Sequence, residues 1–439
     1  MNQIDSPNLN REQHIQEAFT RLDSMLADNW VRDCVLFFHG PPLIGKTTLL
    51  KEIQRRMSAR GLPSARMDFF GAAPTPARVA KQIRNQWAHS ADFVSGNGID
   101  ETMNGPEAAD HLFEFARHLY QVSLRRPLIL FLDSMEDCPV ECLDWLQMKF
   151  LPRLIEEFSA LVIIAGRQHP GQNSSDLWIH DLERRTARFI LEPFTPEETA
   201  RQIERLGVAN APIETLMAYT HGVPGLNTLA ADKFPKDRPL EKEEEKELRQ
   251  RLADAILERT SEDLRVDLLI VSCLWQFDRE LLEVVYKAIK RERDLDALLK
   301  ELSATPLIQT SPGGYARTIS PSIRPVLEAA LQQASEDPSS PYAGWYTLIL
   351  NAATQWLAEK IDYSNIASRI FYQVRLGVDE SNVSADLKAA FEGLEKRNTR
   401  QSELAYRIER GLQDIKTVLP AHMAATLLQV SHEYLAKFK

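Results

Sequence analysis

Cysteine is scarce in this sequence: Cys34, Cys138, Cys142 and Cys273 are the four in 439 residues. They are too few and too scattered for a disulfide framework or a zinc site. Cys138 and Cys142 could share a helix face, but two further ligands are missing nearby, so they read as ordinary thiols. The ten histidines show no HExxH or other metal spacing. No apolar run approaches the ~18 residues of a membrane span. The start, MNQIDSPNLNREQH, has neither the basic nor the apolar part of a signal peptide. A cytoplasmic location without a membrane partner is the expectation. Positive charge is also short, with 52 Lys and Arg against 62 Asp and Glu, a net −10. A protein that coats nucleic acid needs the opposite excess to displace counterions. A local basic patch stays open.

What is present is the balance of a globular chain, 44% hydrophobic and 26% charged, long enough for two to four domains. Apolar spacing predicts a helix over residues 13–28, and DCVLFFHG (33–40) a buried strand. A Gly-rich loop follows, then TTLLKEIQRRM (47–57) as a helix. Alternation continues through ARMDFFG (65–71), PLILFLD (127–133), ALVIIAG (160–166) and ARFILEPF (187–194), with helical segments between. LDWLQMKFLPRLIEEF (143–158) is one of these, with Pro152 a kink or break. Strands joined by helical crossovers imply an α/β fold, a parallel sheet with helices on both faces.

After Phe194 the pattern is helical. TPEETARQIERLG (195–207) opens on a capping box, Thr195 with Glu198, and EKEEEKELRQRLADAILERT (241–260) reads as a solvated linking helix. Over 261–330 three helical segments precede TPLIQT and ARTIS, a hairpin around Gly313-Gly314. That is a winged-helix pattern. Residues beyond 341 are helical, with breaks near Pro341, Gly377-Val378, Asn398 and Pro420. The expected domains are 1–194 (core), 195–260 (helical lid and linker), 261–335 (winged helix) and 336–439 (all-α).

The loop Gly40-Pro41-Pro42-Leu43-Ile44-Gly45-Lys46-Thr47 matches GxxxxGK[ST]. Its glycines let the backbone fold tightly, so that amide N–H groups point at phosphate oxygens. The following helix adds its positive end. Lys46 is expected to reach the β- and γ-phosphates, and the Thr47 hydroxyl to ligate Mg²⁺. In LILFLDSMED (128–137), Asp133 ends an apolar strand beside the expected Mg²⁺, and Glu136 or Asp137 is placed to polarise an attacking water. Arg167 follows the next strand, where a guanidinium can reach a γ-phosphate. HGVPG (221–225) sets Pro224 in a rigid apolar turn that can pack on an adenine ring.

This ordered set resembles the STAND class of P-loop NTPases, relatives of AAA+ proteins that include NACHT and NB-ARC ATPases. The resemblance covers about residues 8–330. LNRE (9–12), with Arg11, looks like the motif before the first helix; GPPLIGKTT, through Thr48, like Walker A; LFLDSMED like an extended Walker B. IIAGR looks like the strand ending in the sensor arginine, LEPFTPEET like the lid's start, and GVPG like its GxP motif. Leu43 stands where many relatives carry glycine, Glu136-Asp137 reverses the usual acidic order, and Ser320-Pro321 falls where relatives often carry His-Asp.

What the resemblance implies is an ATP/ADP- and Mg²⁺-dependent switch that self-assembles, with the C-terminal helices as sensor or as docking surface for a protein partner or effector. Two alternatives stay open. One is a DNA-associated AAA+-like ATPase acting through its winged helix, although residues 259–335 hold ten Lys and Arg against eleven Asp and Glu. The other is a nucleotide-binding protein with little turnover.

Overall fold

The computed structural model describes residues 11–71, 74–90, 108–166, 182, 184–208, 212–234, 238–305, 307–310, 317–360, 365–395, 401–416 and 419–436. The chain divides into two compact units, Met1–Ile256 and Leu257–Lys439. Among the described residues no helix is long and apolar enough to cross a membrane.

The first unit is built on five parallel strands: β1 (Val35–His39), β2 (Ser64–Asp68), β3 (Leu128–Asp133), β4 (Ala160–Gly166) and β5 (Thr186–Ile190). Their spatial order is β2-β3-β4-β1-β5. β3 and β4 are buried along their whole length, as their unbroken apolar runs require of strands covered on both faces. Leu130, Phe131, Val162 and Ile163 are wholly buried, each side chain contributing about 1.5–3 kcal/mol. Their packing makes the sheet centre a rigid base for the loops at its C-terminal edge.

Helices α1 (Glu12–Leu26), α2 (Lys46–Ser58), α3 (Pro76–Ser90) and α4 (Ala108–Val122) follow the expected apolar faces. The Trp87 indole N–H of α3 donates to Ile129 O at 2.9 Å, and Gln86 and Ser90 bond the outer backbone of edge strand β2. That edge therefore offers less free backbone to another chain. Beside it, a groove of about 770 Å³ runs between α2 and α3, lined by Gln54, Arg78, Lys81 and His89 among others. It holds none of the predicted site residues.

The segment at 143–158 is irregular but not broken: α5 (Val140–Trp145) passes through a π-helical stretch, Leu146–Phe150, directly into α6 (Leu151–Glu157), with Pro152 in the first turn of α6. Cys138 and Cys142 do not share a helix face. Pro139 caps α5, so Cys138 lies before the helix, while Cys142 lies within it and bonds Pro74 O.

The segment expected to form a lid folds as α7 (Pro196–Arg205), α8 (Ile213–Thr220) and α9 (Pro224–Ala231), followed by α10 (Lys242–Leu257). Thr195 caps α7 with the reciprocal Glu198 bonds of a capping box. A buried polar cluster ties α7–α9 together. Asn227 Oδ1 accepts from Thr220 Oγ1 at 2.5 Å, Asn227 Nδ2 donates to Gln202 Oε1 at 3.0 Å, and Gln202 Nε2 donates to Pro224 O at 2.9 Å.

In the second unit, α11 (Glu262–Ser272), α12 (Arg279–Ala288) and α13 (Leu295–Ala304) precede the antiparallel pair β6 (Ile308–Thr310) and β7 (Arg317–Ile319). This is the element order of a winged helix; the hairpin tip with Gly313-Gly314 lies outside the described residues. Then come α14 (Arg324–Glu336), α15 (Trp345–Glu359), α16 (Ile366–Arg375), α17 (Glu380–Glu395), α18 (Gln401–Ile415) and α19 (Ala421–Leu435). Arg324 fastens the hairpin to these helices. It stacks on Trp275 at 4.4 Å and donates to Trp275 O at 2.9 Å and to Thr318 Oγ1. The Tyr372 hydroxyl of α16 accepts from Trp275 N at 3.1 Å.

Candidate functional site

The loop between β1 and α2 is shaped by three backbone positions. Gly45 sits at φ +93°, in the left-handed region, and starts α2 directly at Lys46. At Gly40 a Cβ would come within 3.1 Å of both Ile44 and Leu191 O, so a side chain there would have to push its neighbours by a few tenths of an ångström. Leu43 also has a positive φ, +63°, which is uncommon for a branched residue. A glycine would take this conformation more readily. The Leu43 side chain is half-buried, and its carbonyl accepts from Gly225 N at 2.8 Å.

Lys46 Nζ donates to Gly40 O at 2.9 Å and to Pro41 O at 2.8 Å, reaching back across the loop. Thr47 Oγ1 lies 3.3 Å from Asp133 Oδ1, and Asp133 is 1% exposed. These are hard oxygen donors next to a cationic loop, the chemistry that suits Mg²⁺ together with phosphate oxygens. Among the described residues no cluster of three His, Cys, Asp or Glu forms a metal site without phosphate. Pro42 and Ile44 are buried, and Pro41 and Thr48 half-buried, within or beside the loop. His39, at the end of β1, has its imidazole pushed down by burial and then by Arg188 and Lys46, so it is neutral near pH 7.

After Asp133 the chain turns at Ser134, φ +55°, into a 3₁₀ turn over Met135–Asp137. Met135 is buried, Glu136 exposed and Asp137 half-buried, so the two acids differ in setting. Arg167 lies outside the described residues, as do Leu9 and Asn10 of LNRE.

Arg11, the N-cap of α1, lies against the loop. It is 7% exposed, donates to Ile44 O at 3.3 Å and to Glu192 O at 2.5 Å, and stacks on Phe194 at 4.8 Å. Burial lowers its pKa to about 10 against the pull of Glu198 and Glu192, leaving it protonated at neutral pH. It joins the loop to the chain entering α7.

Pro224 is buried at the first turn of α9. The turn around it leaves no room for side chains. At Gly222, φ +74°, a Cβ would meet Phe194 O at 2.2 Å, and at Gly225 it would meet Leu43 Cβ at 2.7 Å. The start of α9 thus presses its backbone against the loop's backbone.

Two contributors escaped sequence reasoning. Arg66 of β2 donates to Asp133 Oδ2 at 2.6 Å and lies 3.7 Å from Asp68. A charged residue inside a strand flanked by buried positions was its only sequence signal. The second is the Thr220–Asn227–Gln202 cluster, whose members lie too far apart in sequence to read as one feature.

No protein-family model matches the chain, and no curated protein matches it in sequence. Solved structures do. The Walker-type ATPase of Pyrococcus abyssi matches at TM-score 0.50 and 16% identity, over 71% of this chain and 94% of that one. A STAND protein with a tetratricopeptide repeat sensor from Pyrococcus horikoshii matches at 0.32 and 16%, over 94% of this chain and 57% of that one. The ORC2 protein of Aeropyrum pernix, in ADPNP and ADP complexes, matches at 0.42 and 15%, over 79% and 95%. At such identities likeness speaks to the fold alone. That fold is an α/β fold on a parallel sheet, shared with the Walker-type ATPase of Pyrococcus abyssi.

Proposed function

We propose that this protein is an ATP-binding switch of the STAND type, hydrolysing slowly, whose lid reads the state of the phosphate loop. The observation that carries this reading is the hydrogen bond from Gly225 N to Leu43 O, at 2.8 Å. It joins the lid to the stretch of backbone that would cradle phosphates, so a change in the loop moves the lid. Lys46 would exchange its two loop carbonyls for phosphate oxygens, and Thr47 with Asp133 would hold Mg²⁺. The metal's role when bound is to neutralise charge building on the transferred phosphoryl group. Glu136 and Asp137 are the candidates for polarising water, with Asp137 favoured because it is less exposed. Arg167 is kept as the candidate phosphate sensor. Nucleotide shifts such a switch only by its differential affinity for open and closed lids.

The alternative, DNA engagement through the winged helix, is weakened by where its cations go. Arg291 and Arg293 both pair with buried Asp267, at 2.9 Å each. The third helix, α13, carries Asp296 and Glu301 against Lys300. A major-groove reader needs the opposite sign there. Self-assembly and partner docking by the C-terminal helices are therefore the preferred output.

The test is mant-ADP and mant-ATP binding with mass photometry in ADP, ATP or neither. Lys46→Ala removes charge-assisted contacts of about 1.5–3 kcal/mol each, so affinity should fall roughly 10- to 100-fold, with loss of ATP-dependent assembly. A Lys46→Ala protein that assembles with ATP as the wild type does would refute the switch. Salt-sensitive duplex binding with no ATP-dependent assembly would favour the DNA reading.

A further inference from the structure

Asp68 and Asp133 are register partners on adjacent strands at the sheet's C-terminal edge. Two carboxylates so placed would ordinarily make a divalent-cation site or repel each other. Arg66 stands between them. Its Nη2 lies 2.6 Å from Asp133 Oδ2 and 3.7 Å from Asp68 Oδ2, with its side chain 13% exposed. Asp133 Oδ1 is turned the other way, accepting from Thr47 Oγ1 at 3.3 Å and from Ser134 N at 3.0 Å. Asp68 is held by Ser134 Oγ at 2.9 Å.

We propose that Arg66 is the positioning residue of the metal site, an internal cation that occupies the Asp68–Asp133 pair and leaves only Asp133 Oδ1 facing Thr47. This rests on the nucleotide reading above. With Arg66 in place one of the two negative charges is cancelled and Asp133 Oδ2 is taken up, and Thr47 with one carboxylate oxygen is too poor a donor set to hold a divalent cation alone. Phosphate oxygens must complete the set, so metal enters with nucleotide. Without Arg66, Asp68 and Asp133 together offer a competing site that needs no nucleotide. A guanidinium suits this task because it is always charged and its planar fork can face two carboxylates.

The experiment is a Mn²⁺ titration followed by electron paramagnetic resonance, on full-length wild type, Arg66→Ala, Arg66→Lys and the double variant Arg66→Ala with Asp68→Asn, each with and without ADP. Mant-ADP binding in EDTA is measured in parallel. Wild type is expected to take up Mn²⁺ appreciably only with ADP. Arg66→Ala should bind Mn²⁺ without ADP at least tenfold more tightly than wild type, and Asp68→Asn should reverse that gain. Arg66→Lys, retaining the charge, should stay near wild type. A purely structural role for Arg66 would lower stability without creating metal affinity. If Arg66→Ala does not fold, Arg66→Gln, which keeps a donor but not the charge, carries the same comparison. Variant titrations that overlay a nucleotide-binding wild type would overturn the inference alone. A wild type that binds no mant-ADP, with metal or without, would overturn the nucleotide reading and the inference with it.

Discussion

Replacing Gly225 by alanine tests the link between lid and loop at its narrowest point. The added Cβ would lie 2.7 Å from Leu43 Cβ, 2.9 Å from Leu43 O and 3.2 Å from Leu43 Cα. Carbon–carbon contacts are comfortable at about 3.5–4.0 Å, so the start of α9 must retreat by about 1 Å. The Gly225 N–Leu43 O bond, 2.8 Å long, would then stretch past the hydrogen-bond range. Losing that bond costs about 1 kcal/mol and overpacking about 1–3 kcal/mol, so a destabilisation of about 2–4 kcal/mol is expected. Urea unfolding gives the total, and hydrogen exchange across residues 224–231 reports whether the lid is what loosens. Leu43→Gly sharpens the test. By itself it trades a half-buried side chain for relief of the left-handed φ of +63°, and should change stability little. Combined with Gly225→Ala it removes the shortest of the three contacts and should recover at least about 1 kcal/mol, a coupling typical of touching residues. Gly225→Ala unfolding with the wild-type midpoint, or two effects that simply add, would refute the reasoning.

Glu52, 4% exposed on α2, has its pKa held down to about 2 by Arg55 first, with burial opposing and Arg56 assisting. A folded-state value below the unfolded 4.5 means its contribution is fully present above about pH 4.5 and fades as pH falls toward 2. Glu52→Gln should therefore cost about 1–2 kcal/mol at pH 7, discounted for the exposed Arg55, with the gap narrowing between pH 5 and 3 in paired urea titrations. Asn227→Ala deprives Gln202 Oε1 of its donor inside the lid. It should lower stability by about 1–3 kcal/mol by urea midpoint, and a change under about 0.5 kcal/mol would show that the cluster does not hold α7–α9 together.

Much of the scaffold was legible because its signals are local. The apolar runs at 127–133 and 160–166 read as strands buried on both faces and are β3 and β4. The capping box at Thr195, the helical irregularity just before Pro152 and the bounds of α13 follow from neighbours a few residues apart. The helix face that Cys138 and Cys142 could have shared does not form, because Pro139 caps the helix between them. The spacing of i and i+4 is silent on where a helix begins.

The sequence by itself determined that a phosphate-type loop stands between a strand and a helix, and that an acid-tipped strand follows. Those features need only the chain's own short-range geometry: glycine's freedom at Gly45, the apolar run before Asp133, the helix after Lys46. Only the tertiary structure decided which charges neutralise one another and which backbones touch. Arg66 meets Asp133 across 67 residues because β2 pairs with β3, a neighbour relation that strand patterning does not encode. Leu43 adopts a glycine-like conformation, and Gly225 is the residue that presses on it. Arg291 and Arg293, within the basic run KAIKRERD (287–294), spend their charge on buried Asp267. In each case the energy depends on a partner's distance and burial, and both are set by packing between segments remote in the chain.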